Sequence, residues 1–403
     1  MTRSYISGCH AAAEAARLAQ VDVIAAYPIT PQTHIVEFLS KDVFDGRLQA
    51  QFVPVESEHS AMSATVGAAM VGARAFTASS SQGLALMHEV LPYASGLRLP
   101  LVMAVANRSL ASPVTIFTDH QDTLPQRETG FLQYYVENCQ EIFDLILMAY
   151  KVAENEKVLL PVMVCFDGFF LSHIHEPVEI PDLELVKKFL PKRAPSYPIL
   201  DVADPKAFNV MAFPDHFEEF QRDKYESMAQ SAGVFDEACS QFADIFGRGH
   251  QRLETYRAED AEYLLVGLGS MMGTVRDCVD DLRAQGHKAG LASIKSYRPF
   301  PVKEMAGIAS NCKAIGVLDR DVAFGSGGVV YQDVCRSLYN SRPGASILNF
   351  VLGLGGRDVT KGTVKNCYSK LMEIGTGKYP LPGEDVIWPD ANAALLAKWK
   401  VGD

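Results

Sequence analysis

Two strand-to-helix junctions hold the residues whose types and spacing suit chemistry. Tyr27-Pro28-Ile29-Thr30-Pro31-Gln32 closes the apolar run 21–27, and Glu56-Ser57-Glu58-His59-Ser60 follows the run 51–55. Polar residues just past apolar strands stand where open α/β sheets bind ligands. Glu58 heads a run of small residues, 60–73, that reads as a tightly packed helix. The helix dipole favours a carboxylate there, and for an isolated Glu that role suffices. Glu56 lies two residues away, and strand alternation predicts both side chains on one side. Two like charges in an apolar setting need a proton, a cation or a donor.

Further candidates lie downstream. Arg108 ends a mostly apolar run, placed either to clamp a carboxylate with its planar fork or to anchor a loop. Thr30 offers a hydroxyl for a substrate or for capping the helix near Pro31. Asp119, His120 and Asp122 form an ionisable cluster in the irregular stretch 108–129. Hydrogen bonds that staple the loop are the favoured role over direct proton transfer. One His with two nearby carboxylates is a weak metal signal, and no metal is expected in this chain. Asp167 is an ordinary loop carboxylate unless its loop reaches the site. Gly325, Gly327 and Gly328, then Gly353, Gly355 and Gly356, fit neither GxGxxG nor GxxxxGK[ST]. They read as tight turns before helices, with amides that can take a phosphate or a partner's carboxylate.

The elements that must position these residues alternate in type. Strands are predicted at 21–27, 51–55, 74–78, 99–107 and 160–166, with helices at 10–20, 33–40, 58–72, 84–94 and 141–154. That alternation predicts a doubly wound parallel sheet. The proline-rich stretch 176–201 reads as a surface traverse, 214–246 as an amphipathic helix, and 248–260 as helical. A smaller βαβ region follows, with strands at 263–267, 288–293, 314–319 and 346–351 and helices at 274–285 and 364–372. The expected domains are 1–250, with 175–250 as traverse and helix, then 255–375. The tail 376–403 is expected to lie as an arm on a partner's surface.

Composition narrows the class. At 403 residues two domains are expected, and 48% hydrophobic with 21% charged residues is ordinary for a globular protein. A net charge of −11 argues against nucleic acid or an anionic membrane as partner. No apolar run approaches the length of a membrane span, and the start of the chain lacks a signal-peptide pattern. A cytoplasmic location is expected. The eight cysteines form no CxxC pair, which argues for buried reduced thiols and against an iron–sulfur cluster in this chain.

The chain resembles the α subunit of a 2-oxo acid:ferredoxin oxidoreductase of the pyruvate:ferredoxin oxidoreductase family. The resemblance rests on residues 27–31 (YPITP), 56–61 (ESEHSA), 77–87 (TASSSQGLALM), Asn107-Arg108, 119–122 (DHQD) and 166–168 (FDG). Further matches are 176–179 (EPVE), 318–320 (LDR) and 353–358 (GLGGRD). It spans nearly the whole chain and is densest over 22–179.

The resemblance implies an α/β fold with a thiamine diphosphate pyrimidine-binding domain and a smaller transketolase C-terminal-like domain. It implies oxidative decarboxylation of a 2-oxo acid with coenzyme A to acyl-CoA and CO2. Electrons would leave through iron–sulfur clusters in other subunits to ferredoxin or an NAD-linked acceptor. A β subunit would carry the diphosphate and Mg2+, in keeping with the lack of a GDG…N motif here; γ and ferredoxin-like δ subunits would complete the complex. By resemblance, Glu58 hydrogen-bonds the cofactor's pyrimidine N1′, and Pro28 and Ile29 line that ring. Thr30 and Arg108 hold the substrate, while Asp119, His120 and Asp122 support the site from behind. Phe117, where Trp is common among pyruvate-type relatives, bears on the substrate. Pyruvate is the first expectation; phenylglyoxylate, giving benzoyl-CoA, and branched-chain acids are the alternatives. A non-catalytic scaffold is the competing class, and an NAD-binding dehydrogenase has no fingerprint in its favour.

Overall fold

The computed structural model describes every residue except 193–194, 196–198, 342–343, 376–385 and 401–403. It divides into two compact units. One comprises Met1–Glu254 and Ile294–Pro301, the other Thr255–Ser293 and Val302–Asp403.

In chain order the first unit contains β1 (Thr2–Ser7), α1 (Gly8–Leu18), β2 (Val23–Ala26), α2 (Thr33–Phe44), β3 (Gln51–Pro54), α3 (Glu58–Met70), β4 (Ala75–Ser79), α4 (Ser81–Met87) and α5 (Leu91–Gly96). It continues with β5 (Val102–Asn107), β6 (Leu132–Tyr135), α6 (Cys139–Ala153), β7 (Val162–Asp167), β8 (His175–Ile180), α7 (Leu183–Phe189) and α8 (Pro214–Phe246). Seven strands form one sheet in the order β12-β6-β7-β5-β4-β2-β3, where β12 is Ser296–Arg298. All neighbours are parallel except β12, which runs antiparallel to β6. The chain steps outward from β2 to β3, then crosses to the other side of β2 for β4. That reversal makes a crevice at the carboxyl ends of β2 and β4, the switch point where such sheets bind ligands.

The core explains the sequence pattern. β4, β5 and β7 are buried at every position, as strands covered on both faces must be. α6 is buried almost throughout and packs against α1, α8 and the sheet. A helix apolar on most sides needs covering on most sides. α1 buries Ala11, Ala12, Ala13, Ala15 and Ala16, side chains short enough for close approach to α6 and α2.

The remaining elements are β9 (Leu253–Tyr256) and β11 (Ala289–Ile294), whose outer ends fall at the unit boundary, and, within the second unit, β10 (Tyr263–Gly267), α9 (Met271–Ala284), α10 (Val302–Ala309), β13 (Ala314–Asp319), α11 (Val329–Leu338), β14 (Ser346–Val351), α12 (Lys361–Ile374), β15 (Val386–Ile387) and α13 (Ala393–Lys400). Its sheet order is β15-β14-β13-β10-β11-β9.

Several expectations change. The stretch expected to be helical at 248–260 contains β9, an edge strand in which only Leu253 is fully buried. Part of the traverse at 176–201 is β8, which pairs antiparallel with β1. The expected helix 84–94 is two helices, α4 and α5. In the tail, β15 pairs in parallel with β14 of its own unit, so those two residues extend a sheet where an arm on a partner's surface was expected. Residues 376–385 and 401–403 of that arm lie outside the described residues. Among the described residues no helix is long and apolar enough to cross a membrane.

Candidate active site

Glu58 is the first helical residue of α3. Ser57 caps the helix by accepting from the Ser60 amide, which fixes the entry angle of the chain. Glu58 is 7% exposed, and its carboxylate has no hydrogen-bond partner among the described residues. Against it lies Gly83 of α4: a Cβ there would stand 2.5 Å from Glu58 Oε1 and 2.8 Å from Cδ. The glycine thus makes room for a buried carboxylate at the switch point. Glu56 does not share this setting. β3 ends at Pro54, so strand alternation no longer applies, and exposed Glu56 accepts from the Ser60 hydroxyl at 2.5 Å. The expected repulsive pair is not formed; the two carboxylates part ways at the end of the strand.

The turn after β2 carries Pro28, Ile29 and Thr30. Buried Gln32 fixes it by donating from Nε2 to the Tyr27 carbonyl at 2.9 Å. Pro28 and Thr30 are exposed, and Ile29 is half-buried. Thr30 does not cap α2, whose first residue is Thr33 and whose flanking Gln32 makes no side-chain cap. Its backbone carbonyl instead accepts from Arg108 Nη1 at 3.1 Å. Arg108 Nε donates to the Thr115 carbonyl at 2.9 Å. Two carbonyls therefore orient the guanidinium, and three of its five N–H groups remain available. The structure thus brings Thr30 and Arg108 together across 78 residues of chain.

Asp119, His120 and Asp122 lie beneath this pair, all buried. Asp122 Oδ2 accepts from the Arg108 amide at 2.9 Å and the Ser81 amide at 3.0 Å, and Oδ1 accepts from Asn107 Nδ2 at 2.8 Å. It ties the end of β5 to the start of α4. Burial outweighs these bonds and pushes its carboxyl up to about 6. Asp119 accepts from the Ser109 hydroxyl at 2.5 Å and from the Gln121 amide at 3.1 Å. His120 Nε2 meets Asp167 Oδ1 at 2.9 Å, and Thr118 donates to the same oxygen. Asp167, an ordinary loop carboxylate by sequence, is fully buried and holds the loop from below. These contacts are those of a stapled loop.

Sequence reasoning missed the supporting shell: Gln32, Ser81, Gly83, Asn107 and Gly168. A Cβ on Gly168 would meet the Asn107 carbonyl at 2.4 Å and Pro31 Cγ at 2.7 Å. The small-residue run 79–83 was the available signal. Four side-chain oxygens at these strand ends are buried without a partner: Gln32 Oε1, Ser79 Oγ, Ser80 Oγ and Asn107 Oδ1. Unsatisfied buried oxygens beside an unpartnered buried carboxylate are what a site for a polar, hydrogen-bonding group leaves open.

The glycine-rich turns of the second unit differ. Gly325, Gly327, Gly353, Gly355 and Gly356 all have positive φ, as tight turns require. The amides that could take an anion at the start of α11 are already used. Asp319 Oδ1 accepts from the Val330 amide and Oδ2 from Tyr331, while Asn349 Oδ1 accepts from Gly328. Burial raises the Asp319 carboxyl to about 8. The chain's own carboxylate fills this end of the helix, where a phosphate or a partner's carboxylate was one expectation.

Comparison with known proteins gives the family. The family model described as pyruvate flavodoxin/ferredoxin oxidoreductase, thiamine diphosphate-binding, matches residues 14–239. The model of the pyruvate:ferredoxin oxidoreductase core domain II matches 261–364. Pyruvate synthase subunit PorA of Pyrococcus horikoshii is 49% identical over 382 residues, covering 94% of this chain and 97% of that one. Ketoisovalerate oxidoreductase subunit VorA of Pyrococcus furiosus is 44% identical over 388 residues, covering 96% and 97%. Among solved structures, 2-oxoglutarate:ferredoxin oxidoreductase from Magnetococcus marinus, with 2-oxoglutarate, coenzyme A and succinyl-CoA bound, superposes with a TM-score of 0.70 at 19% identity. That match covers 92% of this chain and 65% of the other.

Proposed function

The chain belongs to the pyruvate:ferredoxin oxidoreductase family, as a 2-oxo acid:ferredoxin oxidoreductase α subunit, and from that premise we propose that it supplies half of a thiamine diphosphate site acting on pyruvate. The observation that carries this reading is Glu58: a buried, unpartnered carboxylate at the sheet's switch point, with a glycine packed against it. In this reading residues 1–250 are the pyrimidine-binding domain and 255–375 the transketolase C-terminal-like domain. Diphosphate and Mg2+ are held by a β subunit, and iron–sulfur clusters lie in other subunits.

The bound cofactor supplies the carbon nucleophile and electron sink that decarboxylation of a 2-oxo acid requires. The chain's own residues prepare it. Glu58 holds the pyrimidine N1′ through a hydrogen bond and fixes the ring's tautomer. Its burial strengthens that bond by keeping water away. Pro28 and Ile29 present an apolar edge to the ring. Arg108, held by two carbonyls, offers its remaining N–H groups to the substrate carboxylate. The Thr30 hydroxyl is free to donate to the adjacent keto oxygen. Coenzyme A then takes the acyl group, and electrons pass onward to ferredoxin or an NAD-linked acceptor.

Pyruvate is preferred because several pyruvate synthase subunits match at 45–49% identity, while the ketoisovalerate subunits match at 44%, as does a further pyruvate synthase subunit. Phe117, 46% exposed and tilted against Phe169 at 5.2 Å, rises from the loop that bears Arg108. The test is Glu58→Gln in the assembled complex. Turnover of pyruvate with coenzyme A should fall roughly 10²–10⁴-fold, the scale of lost acid–base assistance. A near-normal rate would make the chain a scaffold. Faster turnover on phenylglyoxylate or a branched-chain acid than on pyruvate would reassign the substrate.

A further inference from the structure

The helix α8 is half seam and half overhang. From Ser227 onward one stripe is buried at helical spacing: Ser227, Ser231, Val234, Ala238, Phe242 and Phe246. That face packs on α6, α7 and α5. Counting back along the same stripe gives Lys224, Phe220, Phe217 and Phe213. Lys224 is half-buried, with its Cδ close to Gly130. Beyond it every residue from Pro214 to Asp223 is exposed. At 1.5 Å per residue the overhang is about 15 Å long. Phe213, Phe217 and Phe220 are 65%, 56% and 56% exposed, and Met211 and Val210 beside them are exposed too. A stripe that serves as core in one half of a helix and faces water in the other marks an unfilled interface.

The charges on the overhang select the occupant. Arg222 is already paired with Glu226 at 2.8 Å, and Asp223 with Arg98. Asp215, Glu218 and Glu219 have no ion-pair partner among the described residues. Lys224, half-buried at the base of the overhang, is the one adjoining cation without an ion pair among the described residues; on the exposed stretch 214–223 itself the unpaired Asp and Glu side chains make the charge flanking the phenylalanines negative. A second copy of this chain would set three unpaired carboxylates against three more, which disfavours self-association. We propose that the overhang of α8 docks into a partner subunit, in an apolar groove rimmed by Lys and Arg. The inference rests on the chain's place in a multi-subunit enzyme, but not on the assignment of the catalytic residues.

The test compares the isolated chain with the complex purified with its own subunits. Hydrogen–deuterium exchange over 210–223 should slow at least about tenfold on assembly. The double variant Phe217→Ser/Phe220→Ser should weaken assembly by about 100-fold in Kd, since buried aromatic anchors dominate interfaces. It should leave the isolated chain's Tm within a few degrees, because both rings are more than half exposed. Glu218→Lys/Glu219→Lys, which keeps the phenylalanines, should weaken assembly less and abolish its weakening by salt. Equal exchange in both states, or an unchanged Kd for the double variant, overturns the surface while leaving the family reading intact. Self-association of the isolated chain that the double variant abolishes overturns the choice of occupant. Failure to assemble with any subunit overturns both.

Discussion

Gly83→Ala separates a catalytic role for Glu58 from a structural one. The new methyl would stand 2.5 Å from Oε1, 2.7 Å from Cγ and 2.8 Å from Cδ of Glu58. Ordinary contact begins near 3.4 Å, so the methyl falls about 0.9 Å short for the oxygen. The cheapest relief is rotation of the Glu58 side chain, because the carboxylate has no hydrogen bond to lose. Stability should barely change. Alanine within α4 gains about 0.5–1 kcal/mol of helix propensity, which offsets much of the local strain. Activity should change greatly, since displacing a reacting group by about 1 Å costs on the order of 10² in rate. The assay is coenzyme A-dependent dye reduction by the assembled enzyme with pyruvate, alongside a thermal melt of the variant chain. Turnover should fall about 100-fold with Tm within a few degrees. Turnover within threefold of the unmodified enzyme would refute the placement of Glu58 against the cofactor. A collapse in Tm would show that the Glu58–Gly83 contact is core packing.

Three further perturbations probe the surrounding shell. Arg108→Ala should raise KM for pyruvate at least about tenfold with a smaller change in kcat, as expected for a lost carboxylate clamp; an unchanged KM would count against it. Asp122 has its folded-state carboxyl raised from 3.8 to about 6, so its burial as an anion costs stability above about pH 6, and that cost is relieved as pH falls toward 3.8. The gap corresponds to roughly 3 kcal/mol. Activity should run the other way: protonation near pH 6 turns an acceptor toward the Arg108 and Ser81 amides into a donor, so pyruvate KM should rise as pH drops through 6. Asp122→Asn should flatten that acid limb, and an unchanged profile would sever the link. Lys295, buried among Glu137 at 2.9 Å, Glu141 at 2.6 Å and Glu254 at 3.6 Å, should on substitution to Met cost about 3–5 kcal/mol, the scale of a broken buried pair. Urea titration measures this, and the loss should shrink at low pH as the stranded carboxylates take up protons.

How much of this the sequence could tell depends on how local the cause is. The strands at 51–54, 263–267, 314–319 and 346–351 and the long helix 214–246 follow from apolar runs and periodicity, which act within a few residues. The site's outline was equally local: Thr30 and Glu58 stand just past strands, and Arg108 ends one. β6, β8 and β12 were not legible, because short strands such as His175–Ile180 are made by pairing with β1 or β6, not by their own pattern. Charged composition misled at 248–260, since an edge strand exposes most of its side chains.

The same distinction explains why Glu58 could be named while its meaning could not be weighed. Near its own position the sequence offers only a helix-terminal carboxylate, which needs no function. What sets it apart is a neighbour 25 positions on, Gly83, and the lack, among the described residues, of any donor to its oxygens. Arg108 depends likewise on a carbonyl 78 residues away. Its two backbone anchors leave open the N–H groups that a structural salt bridge would have used. Asp122 shows the opposite case, with three donors already on its two oxygens and no exposed surface to offer a ligand. Vacant hydrogen-bonding capacity therefore divides the polar residues of this site. Glu58, Thr30 and Arg108 retain it, whereas Asp122 ties the Arg108 and Ser81 amides together and Asp167 anchors Thr118 and His120.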